Sequence, residues 1–277
     1  MTRNHYWEMQ PESIYSDYLG IIEKLVEKNS ATKQMGGKGR HFQHEMFVKY
    51  AFHLASILTL EYGSRFSKSD SSKRAYDYSS VIVLFRAALE TYLTYYYIFC
   101  DSIDEDERSF RFHSWLIDGL NFRQSIDVSF SAELQQKKTN EAIEILDSIK
   151  IIEDTAAFRR LSEKQKGLVI AKKRWIRPGW ADIIAKTGID EYWAKTFYAL
   201  FSGYAHTTSY SIMQFKDATI ENEGKQLNSS FASLIYMVSA LFIESYMKDF
   251  KLANILNIEE TEMIEAWTWL SKHMPHS

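Results

Sequence analysis

The sequence predicts an all-α protein, a multi-helix bundle built around a central apolar helix at about residues 77–100. Three observations predict it. Nearly every periodic apolar segment repeats at helical spacing, and no convincing two-residue alternation occurs. Pro11, Pro178 and Pro275 are the only prolines and there are eleven glycines, too few to supply the turn every ~8–12 residues that a β-sandwich or barrel needs. The 277 residues are 45% hydrophobic and 15% aromatic, enough for a sizeable core and unlike a disordered or collagen-like chain.

The elements follow in order. Pro11 and Glu12 open a first helix whose Ile14, Tyr18, Ile21, Ile22, Leu25 and Val26 form one stripe up to about Asn29. Residues 30–39 are a loop, and a second helix runs from about His41 to Tyr62. The serine-rich stretch 64–73 is the clearest linker, so the expected organisation is an N-terminal helical hairpin (1–64) packed on a main bundle (77–277), with a single domain overall as the alternative. Asp77 caps a third helix to Cys100. The acidic run 101–107 starts a fourth, reaching about Arg123, where the macrodipole favours negative charge. Ser131 caps a fifth helix to about Glu153, 154–171 is weakly helical, and Pro178 breaks the chain at 174–179. A short helix at 182–186 stops at Gly188, and Asp190 caps the next one to about His206. Helices at about 228–251 and 258–273 complete the set.

Composition narrows the functional classes. A formal charge of −3 excludes a uniformly basic nucleic-acid binder. Cys100 is the only cysteine, which leaves no disulfide framework or cysteine-based zinc site and fits a reducing cytoplasm. Residues 1–10 lack the apolar core of a secretory signal. Ser79–Cys100 contains Arg86 and Glu90, and Phe231–Met247 contains Glu244, so both read as buried helices and no membrane role is expected. Gly36-Gly37-Lys38-Gly39-Arg40 lacks the ending of a phosphate loop. His41, His44 and Glu45 lack a nearby fourth ligand, so neither a metal nor a cofactor is expected, and His273 and His276 read as surface residues.

Three features break the pattern. Arg86 and Glu90 are the only charges in the third helix and lie one turn apart on one face. They form either a register-fixing ion pair or a polar pocket in which Arg86 binds an anion and Glu90 orients it. Tyr198, Ser202 and His206, at i, i+4 and i+8, make a polar stripe beside Phe197, Leu200 and Phe201. Ser202 can simply satisfy His206, and no nucleophile elbow or orienting acid marks a Ser–His hydrolase. Finally, Arg159, Arg160, Lys164, Lys166, Lys172, Lys173, Arg174 and Arg177 face only Glu163, a net of +7 that leaves −10 for the rest of the chain. Phe158, Trp175 and Trp180 interleave with these cations as candidate stacking surfaces for a polyanion. An acidic protein or the acidic surface of a sister subunit fits the same charge. Arg108 and His113 show an Arg-x4-His spacing, but with twelve arginines, eight histidines and three allowed spacings chance supplies about one hit.

The Arg86-Ala-Ala-Leu-Glu90 helix resembles a widespread prokaryotic all-helical family of unknown function. The likeness continues through Arg108 and Trp175 and is strongest in Ile183–His206, where Gly188 precedes Tyr192, Tyr198, Ser202 and His206. It covers roughly 77–211, with gaps across 122–170. It implies an all-helical fold with Arg86, Glu90, Ser202 and His206 as shared polar positions, and supplies no reaction. The helical architecture and Arg/His polar centre are similar to HEPN ribonuclease-like bundles, with one departure: Phe201, not arginine, stands five residues before His206.

The expected function is therefore a metal-independent ribonuclease or phosphate-ester-binding effector, in antiviral defence or a toxin system. His206 (or His113) would transfer protons and Arg86 (or Arg108) would hold phosphate, with Glu90 orienting. RNA or an acidic protein is the expected partner, and a homodimer the expected assembly. A non-catalytic helical interaction module and a small-ligand sensor are the alternatives.

Overall fold

The structure, a computed structural model, describes residues 11–30, 38–65, 74–75, 77–205, 208–209, 211–213 and 221–273. It is all-α apart from one short ladder. In chain order the elements are α1 (Pro11–Ser30), α2 (Lys38–Glu61), β1 (Ser64–Arg65), β2 (Arg74–Ala75), α3 (Tyr78–Tyr95), a π turn (Tyr96–Cys100), α4 (Glu105–Gln124), α5 (Ala132–Asp154), α6 (Ala156–Arg159), α7 (Glu163–Ile170), α8 (Trp180–Lys186), α9 (Glu191–Ala205), α10 (Glu221–Phe250) and α11 (Ile258–Lys272). They group into two compact units, one drawn from residues 1–95 and 180–277, the other from 96–179. The boundary expected between 64 and 77 falls inside the first unit. There the ends of the expected linker are joined, Ser64 opposite Ala75 and Arg65 opposite Arg74 in an antiparallel pair. A pairing of two residues is too short to leave an alternating pattern, so sequence periodicity could not reveal it. Among the described residues no helix is long and apolar enough to cross a membrane.

In the first unit, α3 is the central helix, flanked by α2, α8, α9 and α10. Val81, Ile82, Phe85, Leu89, Tyr92 and Leu93 form one broad buried stripe, whereas Val83 is 42% exposed, so the helix is enclosed on fewer sides than its all-round apolar sequence predicts. Asp77 starts it, accepting from the Ser80 backbone N–H at 3.0 Å and its hydroxyl at 2.6 Å. Phe242 on α10 is the hub of the packing. Phe47, Tyr50, Tyr92 and Tyr95 surround it with ring centroids 4.8–5.2 Å away, distances at which each pair adds roughly 0.5–1.5 kcal/mol beyond burial.

One end of this core is polar. Asn29 donates to the Tyr246 hydroxyl at 2.6 Å, and His44 Nδ1 meets the same oxygen at 2.8 Å. Burial pushes the Tyr246 phenol up to about 12, so it stays protonated at neutral pH. Asp249, one turn on, accepts from Tyr95 at 2.7 Å and Gln43 at 3.0 Å, while Arg40 donates to its backbone carbonyl at 2.5 Å. His44 is thus a hydrogen-bonded core residue. His273 is exposed and stacks on Trp269, whereas His276 lies outside the described residues.

In the second unit, α4 and α5 pack together, with α6 and α7 following. Side-chain caps set the boundaries: Asp104 for α4, Ser131 for α5, Thr155 for α6 and Ser162 for α7. The segment expected to be one weak helix at 154–171 is therefore two short ones, each with its own cap. The acidic run does more than face a macrodipole. Asp101 and Glu107 bind the buried Arg111 at 3.0 and 2.7 Å, and Asp106 accepts both the Ala156 and Ala157 N–H groups at 2.9 Å. Those two bonds hold the Asp106 carboxyl below its ordinary value of 3.8. A carboxylate with a depressed folded-state pKa contributes stability that is present above the unfolded value and lost as pH falls through the folded one. Wild-type protein should therefore lose more melting temperature between pH 5 and pH 3 than Asp106→Ala. Parallel curves would show that Asp106 contributes nothing.

Candidate functional site

The polar site on α3 is built by its packing against α9. Phe85 meets Phe201 edge to face at 5.0 Å, and Tyr78 meets Tyr204 at 6.0 Å. This register carries Tyr198 to Arg86, whose guanidinium carbon lies 5.6 Å from the centre of the phenol ring, within cation–π range. On the other side Arg86 Nε donates to Glu90 Oε1 at 3.0 Å; the two side chains are 17% and 31% exposed. The pairing expected from their i, i+4 spacing is present. It leaves the guanidinium incompletely matched: Nη1 is buried and, among the described residues, has no hydrogen-bond partner. A buried donor without a partner costs roughly 1–3 kcal/mol, and it is the group an oxyanion would satisfy. Ser202, half-buried, follows Tyr198 by one helical turn. His206 lies outside the described residues.

The other candidates are elsewhere. Arg108 and His113 belong to the second unit and both are engaged. Arg108 pairs with Glu105 at 3.0 Å, and His113 Nδ1 lies 3.2 Å from the Ser148 hydroxyl with Phe112 against its ring. The residue that sequence reading missed is Arg111, between them. It is 7% exposed and lies 4.1 Å above the Tyr97 ring; besides Asp101 and Glu107 it holds the Tyr97 carbonyl at 2.5 Å. That carbonyl belongs to the π turn, an irregularity that no sequence periodicity marks.

The basic segment also lies in the second unit. Arg159, Arg160, Lys172 and Arg174 are exposed, and Lys173 and Arg177 are half-buried. Of the aromatics interleaved with these cations, Trp175 and Trp180 are half-buried. Phe158 is 8% exposed, and Trp175 packs on Tyr97 at 5.9 Å under the Arg177 guanidinium at 5.5 Å. Among the described residues no three His, Cys, Asp or Glu side chains come together in a way that would hold a metal ion.

The family of unknown function DUF5677 matches residues 70–225, more than half of the chain. The chain belongs to DUF5677. The match takes in α3, α9 and the basic segment, so every candidate discussed above falls in the DUF5677 region, while the Asn29–His44–Tyr246 cluster lies outside it. Comparison with curated proteins gives no match, and neither does comparison with solved structures.

Proposed function

We propose that this DUF5677 protein binds phosphate esters between α3 and α9 and cleaves RNA there without a metal ion, as a HEPN-like effector in defence or a toxin system. The observation that carries the reading is the Arg86 guanidinium, aligned by Glu90, laid over Tyr198 and holding a buried Nη1 that is unmatched among the described residues. A planar guanidinium with free N–H groups suits a phosphate oxygen. In the proposed step His206 takes the proton of the 2′-hydroxyl, the 2′-oxygen bonds to phosphorus, and the P–O5′ bond breaks. The imidazolium then gives the proton to the departing 5′-oxygen, leaving a 2′,3′-cyclic phosphate. Arg86 holds phosphate charge, Glu90 fixes the guanidinium, and Tyr198 and Ser202 line the site. The engagement of Arg108 and His113 in the second unit favours Arg86 and His206 over them.

The test is incubation of the full chain with total RNA and a magnesium chelator. Cleavage is expected from wild type and His113→Ala and not from His206→Ala. No cleavage by wild type, or equal cleavage by all three proteins, defeats the proposal.

A further inference from the structure

We propose that the coil after α7, carrying Lys172, Lys173 and Arg174, is a docking surface for the phosphate backbone of a nucleic acid. The inference concerns the second unit and does not rest on cleavage at the first. Of the eight cations in 159–177, Lys166 takes the one acid of the segment, Glu163, at 2.8 Å. Among the described residues Lys164, Lys172, Lys173 and Arg174 have no acidic partner within 4.0 Å. Several acids of the unit are engaged elsewhere: Asp101 and Glu107 on Arg111, Asp106 on the start of α6, and Asp118 on the Trp175 backbone N–H at 3.2 Å.

The cations are also held in place. The N–H groups of Lys172 and Arg174 donate to the Gly167 and Leu168 carbonyls at 3.2 and 3.0 Å, and Trp175 is anchored on both its backbone and its ring. An ordered coil loses less entropy on binding than a loose one.

Two further observations choose the partner. A second copy of this unit offers no run of unmatched acids: Glu141 and Asp147 are paired, with Arg123 and Lys150, and the exposed Glu133 stands at the opposite end of α5 from Glu153 and Asp154. A nucleic acid instead presents dense, regular negative charge whose counterions are released on binding. Phe158 is buried and Trp175 half-buried against Tyr97, and the exposed groups of the coil are cations, which meet phosphates rather than base edges. Binding should therefore ignore sequence and accept RNA and DNA alike.

The experiment is fluorescence anisotropy with single-stranded RNA and DNA of mixed sequence, roughly 20 nucleotides long to exceed one ~4–16-nucleotide site. The full chain carries His206→Ala so that the probe survives. Both probes should bind, with affinity falling as salt rises. Lys172→Glu/Lys173→Glu/Arg174→Glu should weaken binding at least about tenfold and flatten the salt slope by about 2, at ~0.7 per single-strand phosphate contact. The matching glutamine variant should fall between, and decides the matter if charge reversal prevents folding. Unchanged affinity in a folded variant overturns the proposal. So does polyglutamate binding as tightly as RNA, which would mark an acidic protein partner.

Discussion

Arg111→Met is expected to lower the stability of the second unit by about 3–5 kcal/mol, the usual cost of removing one member of a buried ionic network. Arg111 closes three contacts at once: the Asp101 and Glu107 carboxylates and the Tyr97 carbonyl. Without it, two acids that are themselves only 16% and 19% exposed face each other with no cation, and a carbonyl in the π turn loses its donor. Tyr97, whose phenol pKa is raised by burial, also loses the cation above its ring. Urea denaturation followed by circular dichroism gives the measurement. A loss below about 1 kcal/mol would mean that water replaces these contacts and that the network is not what orders the π turn.

Arg86→Met should do the reverse, removing activity while leaving the fold almost untouched. The two arginines look alike in sequence, each with an acid four residues away, yet among the described residues Arg86 has one carboxylate partner and an unmatched Nη1, where Arg111 has two carboxylates and a backbone carbonyl. Methionine keeps most of the apolar stem and removes the unmatched donor, and Glu90, 31% exposed, stays accessible to water. The expected stability change is within about 1 kcal/mol, against the 3–5 kcal/mol expected of a register-fixing buried pair. RNA cleavage should fall by about 10²–10³-fold, the size of effect that follows removal of one preorganised donor from a developing oxyanion. Inorganic phosphate should raise the melting temperature of wild type and not of the variant, because a ligand specific for the folded state stabilises it by mass action. A large loss of stability without a phosphate effect would make Arg86 a packing residue.

What the sequence disclosed follows from the range of the interactions concerned. Helix starts were legible because their signals are local: Asp77 and Ser131 act on backbone N–H groups three residues away. The Arg86–Glu90 pair was legible for the same reason, one turn of a helix with no other charge. Tyr198 could be placed on a polar stripe, but only packing of Phe85 on Phe201 shows that the stripe reaches Arg86. Arg111 was hidden among the charges of 101–111, where counting cannot say which acid turns inward. Asn29, His44 and Tyr246 were hidden more deeply, being joined across more than 200 residues. The packing of Trp175 on Tyr97 was not legible, because an aromatic among cations looks the same in sequence whatever its ring meets.

The interruption of the first unit by residues 96–179 has a consequence during synthesis. When α3 leaves the ribosome, its partner α9 is still about a hundred codons away, which at ~5–20 residues per second is a wait of roughly 5–20 s. Throughout that interval Arg86 has Glu90 beside it and no Tyr198 beneath it. The α3–α9 packing that brings Tyr198 to Arg86 therefore cannot form until translation has passed the whole inserted unit.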